Sequence, residues 1–92
     1  KRAVRLDRGL ETLDTLGWIQ LKRGDVEAAL VSFEAALEAQ PDAASVRYRL
    51  ALSQAKKGDT DAARENLNRA LEMDSFPESQ AAKAELARLE SN

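Results

Sequence analysis

Trp18, Lys22 and Lys56 are the side chains here with most to offer a ligand. The tryptophan occurs once in the chain, and aromatic residues of this kind dominate the energetics of protein interfaces. The lysines would meet a carboxylate, although a lysine near a helix C-terminus also complements the helix dipole. Covalent chemistry finds little footing. Ser32, Ser45 and Ser53 have no histidine to activate them, because the chain contains none. Cysteine is absent too, which removes disulfides and thiolate metal sites. The acidic pairs Asp25/Glu27 and Asp59/Asp61 fall at expected helix starts, where capping and the dipole account for them. Gly24 and Gly58 stand alone, so no glycine-rich phosphate loop is present. A chain that binds and does not catalyse is expected, with no catalytic residue, cofactor or metal site.

The elements that must position these residues come in near-copies. Sliding the chain against itself by 34 residues aligns Leu16 with Leu50, Gln20 with Gln54, Lys22 with Lys56, Gly24 with Gly58 and Asp25 with Asp59. The same offset aligns Ala28-Ala29 with Ala62-Ala63, and Ala36-Leu37-Glu38 with Ala70-Leu71-Glu72. Gly17/Ala51, Arg23/Lys57, Glu27/Asp61 and Phe33/Leu67 are conservative matches. A 34-residue period with helix-turn-helix content is the signature of a stacked helical repeat.

A first helix is predicted over about Glu11 to Lys22, with Leu13, Leu16, Gly17 and Gln20 on one stripe and Ile19 beside it. Gly17 within a helix costs about 1 kcal/mol relative to alanine. The compensation expected is close approach of a neighbouring helix. Gly24 ends this helix, and Asp25 should cap the next, from Val26 to Gln40, by accepting backbone N–H bonds. That helix presents Val26, Ala29, Leu30, Phe33, Ala36 and Leu37 as its apolar face and stops at Pro41. Asp42 is expected to cap a third helix from Ala43 to Lys57, with Val46, Leu50, Ala51 and Ala55 apolar. After the Gly58-Asp59 turn, Ala62-Ala63, Leu67, Ala70, Leu71 and Met73 mark a fourth. A linker containing Phe76 follows, where Ser75 and Glu78 would form a capping box, or Pro77 would take the first helical position. The last helix spans about Glu78 to Glu90, and its Leu86-Ala87 pair matches Leu50-Ala51 at an offset of 36. Ser79, Gln80, Lys83, Glu85, Arg88 and Glu90 suit it to shield the end of a stack. Residues 1–9 hold four basic residues and one acidic, and read either as the tail of a preceding repeat or as a solvated terminus.

Composition agrees. The 92 residues are 43% apolar and 33% charged, with a net charge of −2. Alanine, leucine, glutamate, lysine and arginine favour helix. The acidic balance argues against nucleic acid as partner. No apolar run is long enough to cross a bilayer, so no membrane insertion is expected.

The chain resembles the tetratricopeptide repeat family. Leu16-Gly17 and Leu50-Ala51 meet its Leu-small pair, Gly24-Asp25 and Gly58-Asp59 its turn, and Ala29/Phe33/Ala36 and Ala63/Leu67/Ala70 its second-helix pattern. Pro41 closes the first unit, whereas the second has Ser75 there. Gln20, Gln54 and Arg47 stand where large apolar or aromatic residues are usual. The phrase Leu13 to Trp18 also resembles the closing repeats of bacterial lipoproteins linked to exopolysaccharide and PEP-CTERM export. A bacterial cytoplasm and a periplasm are both compatible. The resemblance implies an all-α, right-handed α-α superhelix in one domain over 1–92. Its parts would be 1–9 (tail of a preceding repeat), 10–43 (repeat one), 44–77 (repeat two) and 78–92 (capping helix). It implies a non-enzymatic scaffold holding a partner's peptide or helix in a concave groove lined by the first helices. Asp14, Trp18, Leu21, Lys22, Tyr48, Leu52 and Lys56 map there, with Glu11, Ser45 and Ala55. Trp18 beside Tyr48 and Leu52 would be an anchor, or would pack between adjacent first helices. Asp14 would repel a terminal carboxylate, which disfavours chaperone tails. The alternative is a self-associating segment that forms a homodimer through an exposed terminal repeat face; an RNA-binding helical repeat is disfavoured.

Overall fold

The structure, a computed structural model, describes residues 9–73 and 76–91. Residues 1–8 of the tail expected over 1–9, and Ser75 of the expected capping box, lie outside them, whereas Gly9 belongs to the first helix. Five α-helices follow one another: α1 (Gly9–Lys22), α2 (Val26–Ala39), α3 (Ala44–Lys57), α4 (Thr60–Glu72) and α5 (Ser79–Glu90). No strand occurs among the described residues. α1 pairs with α2 and α3 with α4 as hairpins, α2 packs on α3, and α5 lies on α4.

The turns are built alike. Gly24 and Gly58 take φ of +86° and +97°, left-handed values that suit glycine. The next residue then reaches back five positions: Asp25 N–H donates to the Gln20 carbonyl (2.8 Å) and Asp59 N–H to that of Gln54 (2.9 Å). Asp25 and Asp59 do occupy the N-cap positions, but their side chains make no cap hydrogen bond. Their ψ angles of 70° and 72° lie short of the extended region from which a cap side chain reaches the first turn. Asp42 does not cap α3 either, since the helix starts one residue later with Ala43 as N-cap. The N-cap of α5 is Glu78, so Pro77 lies before the helix and not at its first position.

The second-helix faces are buried as the pattern requires. Ala29, Phe33 and Ala36, and their counterparts Ala63, Leu67 and Ala70, are all 0% exposed. Leu30, Phe33 and Leu37 of α2 share a core with Leu21 of α1 and with Val46 and Leu50 of α3. Tyr48 and Ala51 of α3 share a second core with Ala63, Leu67, Ala82 and Leu89. Gly17 is the point of closest approach: a Cβ built there would lie 2.8–3.0 Å from three carbons of the Phe33 ring. Absence of a side chain is what lets the ring in.

The stripe expected on α1 needs correction. Leu16 and Ile19 are 43% and 47% exposed, while Gly17 and Leu21 face inward. Their counterparts Leu50 and Ser53 are buried, and Leu50 belongs to the core that α3 shares with α2. Among the described residues no helix covers that side of α1. On α5, Ala82 and Leu89 are buried and Leu86 half-buried, in the register of Val46, Ser53 and Leu50 at the offset of 36. Ala87, expected to match buried Ala51, is exposed because no described helix packs on its side.

Gln20 and Gln54, the departures from the aromatic pattern, have a physical account. Ser32 Oγ donates to Gln20 Oε1 at 2.7 Å, and Asn66 Nδ2 donates to Gln54 Oε1 at 2.8 Å. Each bond ties the first helix of a hairpin to its second, 12 residues on. In the second hairpin Arg47 joins in, donating to Asn66 Oδ1 at 2.9 Å and to the Pro41 carbonyl at 3.2 Å.

A candidate partner-binding groove

The 34-residue register stacks α1 and α3 so that Trp18 and Leu52, and likewise Lys22 and Lys56, occupy equivalent positions. Between them runs a groove of about 440 Å³. α1 lines it with Trp18, Leu21 and Lys22, α3 with Leu52, Ala55 and Lys56, and α5 with Glu85 and Arg88. Trp18, Leu52 and Ala55 are half-buried, and the lysines and Arg88 stand exposed. Arg88 pairs with Glu85, three residues earlier on the same helix. That pairing and the charge of Glu85 raise the guanidinium pKa further.

Trp18 is held from two sources. Lys22 Nζ lies 5.0 Å from the centroid of its ring, one turn along α1. The guanidinium carbon of Arg49, on α3, lies 4.9 Å from it. Both distances fall within cation–π range. Arg49 itself links three segments. Its Nη1 donates to Asp14 Oδ2 of α1 at 2.7 Å, and its Nη2 to Glu78 Oε2 at 2.9 Å, where the chain enters α5. Glu78 also accepts from Ser45 Oγ at 2.8 Å. Burial opposes the charge on Arg49, but the hydrogen bonds and charges of Asp14 and then Glu78 outweigh it and leave the pKa raised.

Six of the residues expected to line the groove meet there: Trp18, Leu21, Lys22, Leu52, Ala55 and Lys56. Leu21 is only 5% exposed, so it forms floor and core together. Asp14 does not line the groove: its carboxylate is engaged by Arg49, whose guanidinium it shares with Glu78. Tyr48 is buried, its ring tilted 46° against Phe76 at 6.3 Å, and does not reach the groove. Burial first, then the charges of Glu78 and Glu85, raise its phenol pKa. Ser45 turns to Glu78 and lines a separate hollow near Phe76. The side chain of Glu11 lies outside the described residues.

Sequence reasoning missed Arg49, Glu85 and Arg88. The offset of 36 places Arg88 opposite Leu52, so the shifted repeat could have pointed to it. Arg49 has Thr15 as counterpart and carries no such signal. Among the described residues no three acidic side chains gather as a metal site would need, and no helix is long and apolar enough to cross a membrane.

The family model described as tetratricopeptide repeat matches this chain over residues 15–76 and again over 48–90. No match is found among curated proteins, so the narrower likeness of Leu13–Trp18 to export lipoproteins gains no support.

Proposed function

We propose, since the chain belongs to the tetratricopeptide repeat family, that it is a non-enzymatic scaffold holding an extended or helical segment of a partner protein in the groove. Repeats of this family are generally protein–protein interaction modules and generally non-catalytic. The reading is carried by one observation: α1, α3 and α5 contribute Trp18, Leu52, Ala55 and exposed cations to a common concave surface. Within this reading residues 10–43 and 44–77 are the two repeats and 78–92 a capping helix, in one domain. Trp18 is a wall of the site that also packs between adjacent first helices. Nucleic acid is not the expected partner, given the net charge of −2.

Selection of displayed peptides on the whole chain tests this reading. Selected peptides should lose roughly thirtyfold or more in affinity on Trp18→Ala/Leu52→Ala, as central interface residues do. Equal binding to chain and variant would show that the groove is not the site.

A second reading rests on the exposure of Leu16 and Ile19, an apolar strip that supports self-association into a homodimer. Sedimentation showing a monomer across a wide concentration range would end it.

A further inference from the structure

We infer that the occupant of this groove is a partner segment carrying several side-chain carboxylates around one bulky apolar residue. This rests on the groove reading above and adds the chemistry of what it holds. The whole chain carries net charge −2, yet the groove is lined by the cations Lys22, Lys56 and Arg88 against the single carboxylate of Glu85. That carboxylate is turned to Arg88. Neither Lys22 nor Lys56 has an ion-pair partner among the described residues. The nearby acids Asp14 and Glu78 do not line the groove, and both are committed to Arg49 with side chains only 22% and 25% exposed.

The arrangement sets further terms. Lys22 and Lys56, the lining cations without an ion-pair partner among the described residues, stand on separate helices, so a segment with acidic side chains spaced along the groove would meet both. Between them Trp18, Leu52 and Ala55 offer an apolar floor for a single large side chain. Lys22 lies over the indole at 5.0 Å, and a cation–π contact at an exposed site is weak. A partner carboxylate therefore draws Lys22 aside at little cost and opens the ring to the apolar residue.

The test uses the full chain and the fluorescence of its one tryptophan. The probes are capped, amidated peptides of glutamates flanking a central leucine, the same peptide with glutamines or with lysines, and an oligouridylate of equal charge. The glutamate peptide should bind roughly tenfold tighter than the glutamine one, and the advantage should shrink as salt rises. Lys22→Glu/Lys56→Glu should remove about tenfold of that affinity while leaving the circular dichroism unchanged and lowering Tm by only the few degrees that reversed charge at two helix C-termini costs; Lys22→Gln/Lys56→Gln should remove less. Tight binding of the glutamine or lysine peptide would overturn the inference and leave the groove reading standing. Glutamate-peptide binding indifferent to charge reversal would overturn it by placing the site elsewhere. Binding of the oligouridylate alone would make the occupant a nucleic acid and overturn it. Silence from every probe at millimolar concentration would overturn it as well, and selected peptides that still need Trp18 would then keep the groove.

Discussion

The two hairpins solve one packing problem with different residues. In the first, Gly17 admits the ring of Phe33 to contact that a Cβ would block. In the second, Ala51 and Leu67 hold the same positions, both fully buried. What the period preserves is the combined size of the pair, a larger partner meeting a smaller one, as close packing demands. The polar ties vary in the same way, Gln20 with Ser32 and Gln54 with Asn66. Their surroundings differ more. The second hairpin is flanked by α2 and α5, and Leu50 and Ser53 are buried; in the first, Leu16 and Ile19 remain open.

The comparison breaks first at its largest side chain. Phe33→Ala should cost about 3–5 kcal/mol, and Leu67→Ala about 2–5 kcal/mol, both read by urea denaturation. A loss below about 1 kcal/mol at either site would mean the seam is not the core. Next comes the matched pair. Gly17→Ala gains about 1 kcal/mol of helix propensity but overpacks against Phe33 by about 1–3 kcal/mol, so a net loss is expected. Ala51→Gly should also destabilise, by about 1 kcal/mol from propensity alone. Adding Phe33→Leu to Gly17→Ala copies the second hairpin and should return stability; strictly additive losses in the double-mutant cycle would refute size matching. The polar ties come third. Gln54→Ala should cost about 1–2 kcal/mol, and more than Gln20→Ala, because Asn66 also holds Arg47. The reverse ranking would show that the Arg47 branch contributes nothing. Smallest is Ile19→Ser, which writes the residue of Ser53 into the first hairpin. At 47% exposure it should move stability by no more than about 0.5 kcal/mol. A larger loss would show that something covers that face in solution.

Much of this was legible in the residues. A period of 34, a glycine at each turn and the alternation of small and large residues along α2 and α4 specify hairpins and their buried faces. Gly17 even announced its own reason, since a mid-helix glycine needs a close neighbour. Other features were hidden for identifiable causes. A stripe read on one helix does not say which neighbour covers it, so Leu16 looked buried when only Leu50 is. Tyr48 sits at a groove register, but the linker brings Phe76 onto it. Asp25 had the right residue type for a cap, and a ψ of 70° defeated it. Arg49 meets partners 35 and 29 residues away, distances with no periodic echo, so no pattern along the chain could reveal it. The groove inherited that uncertainty: its α1 and α3 walls follow from the repeat, its α5 wall only from the shifted offset.

The fork of Arg49 has a mechanical meaning. One guanidinium fastens the outer helix to the threshold of the last, so the two ends of the cleft are not free to flex separately. A guest that levered α1 outward would have to reset the start of α5 in the same motion. The cleft therefore meets its guest already braced, and little of the attraction is lost to straightening the host.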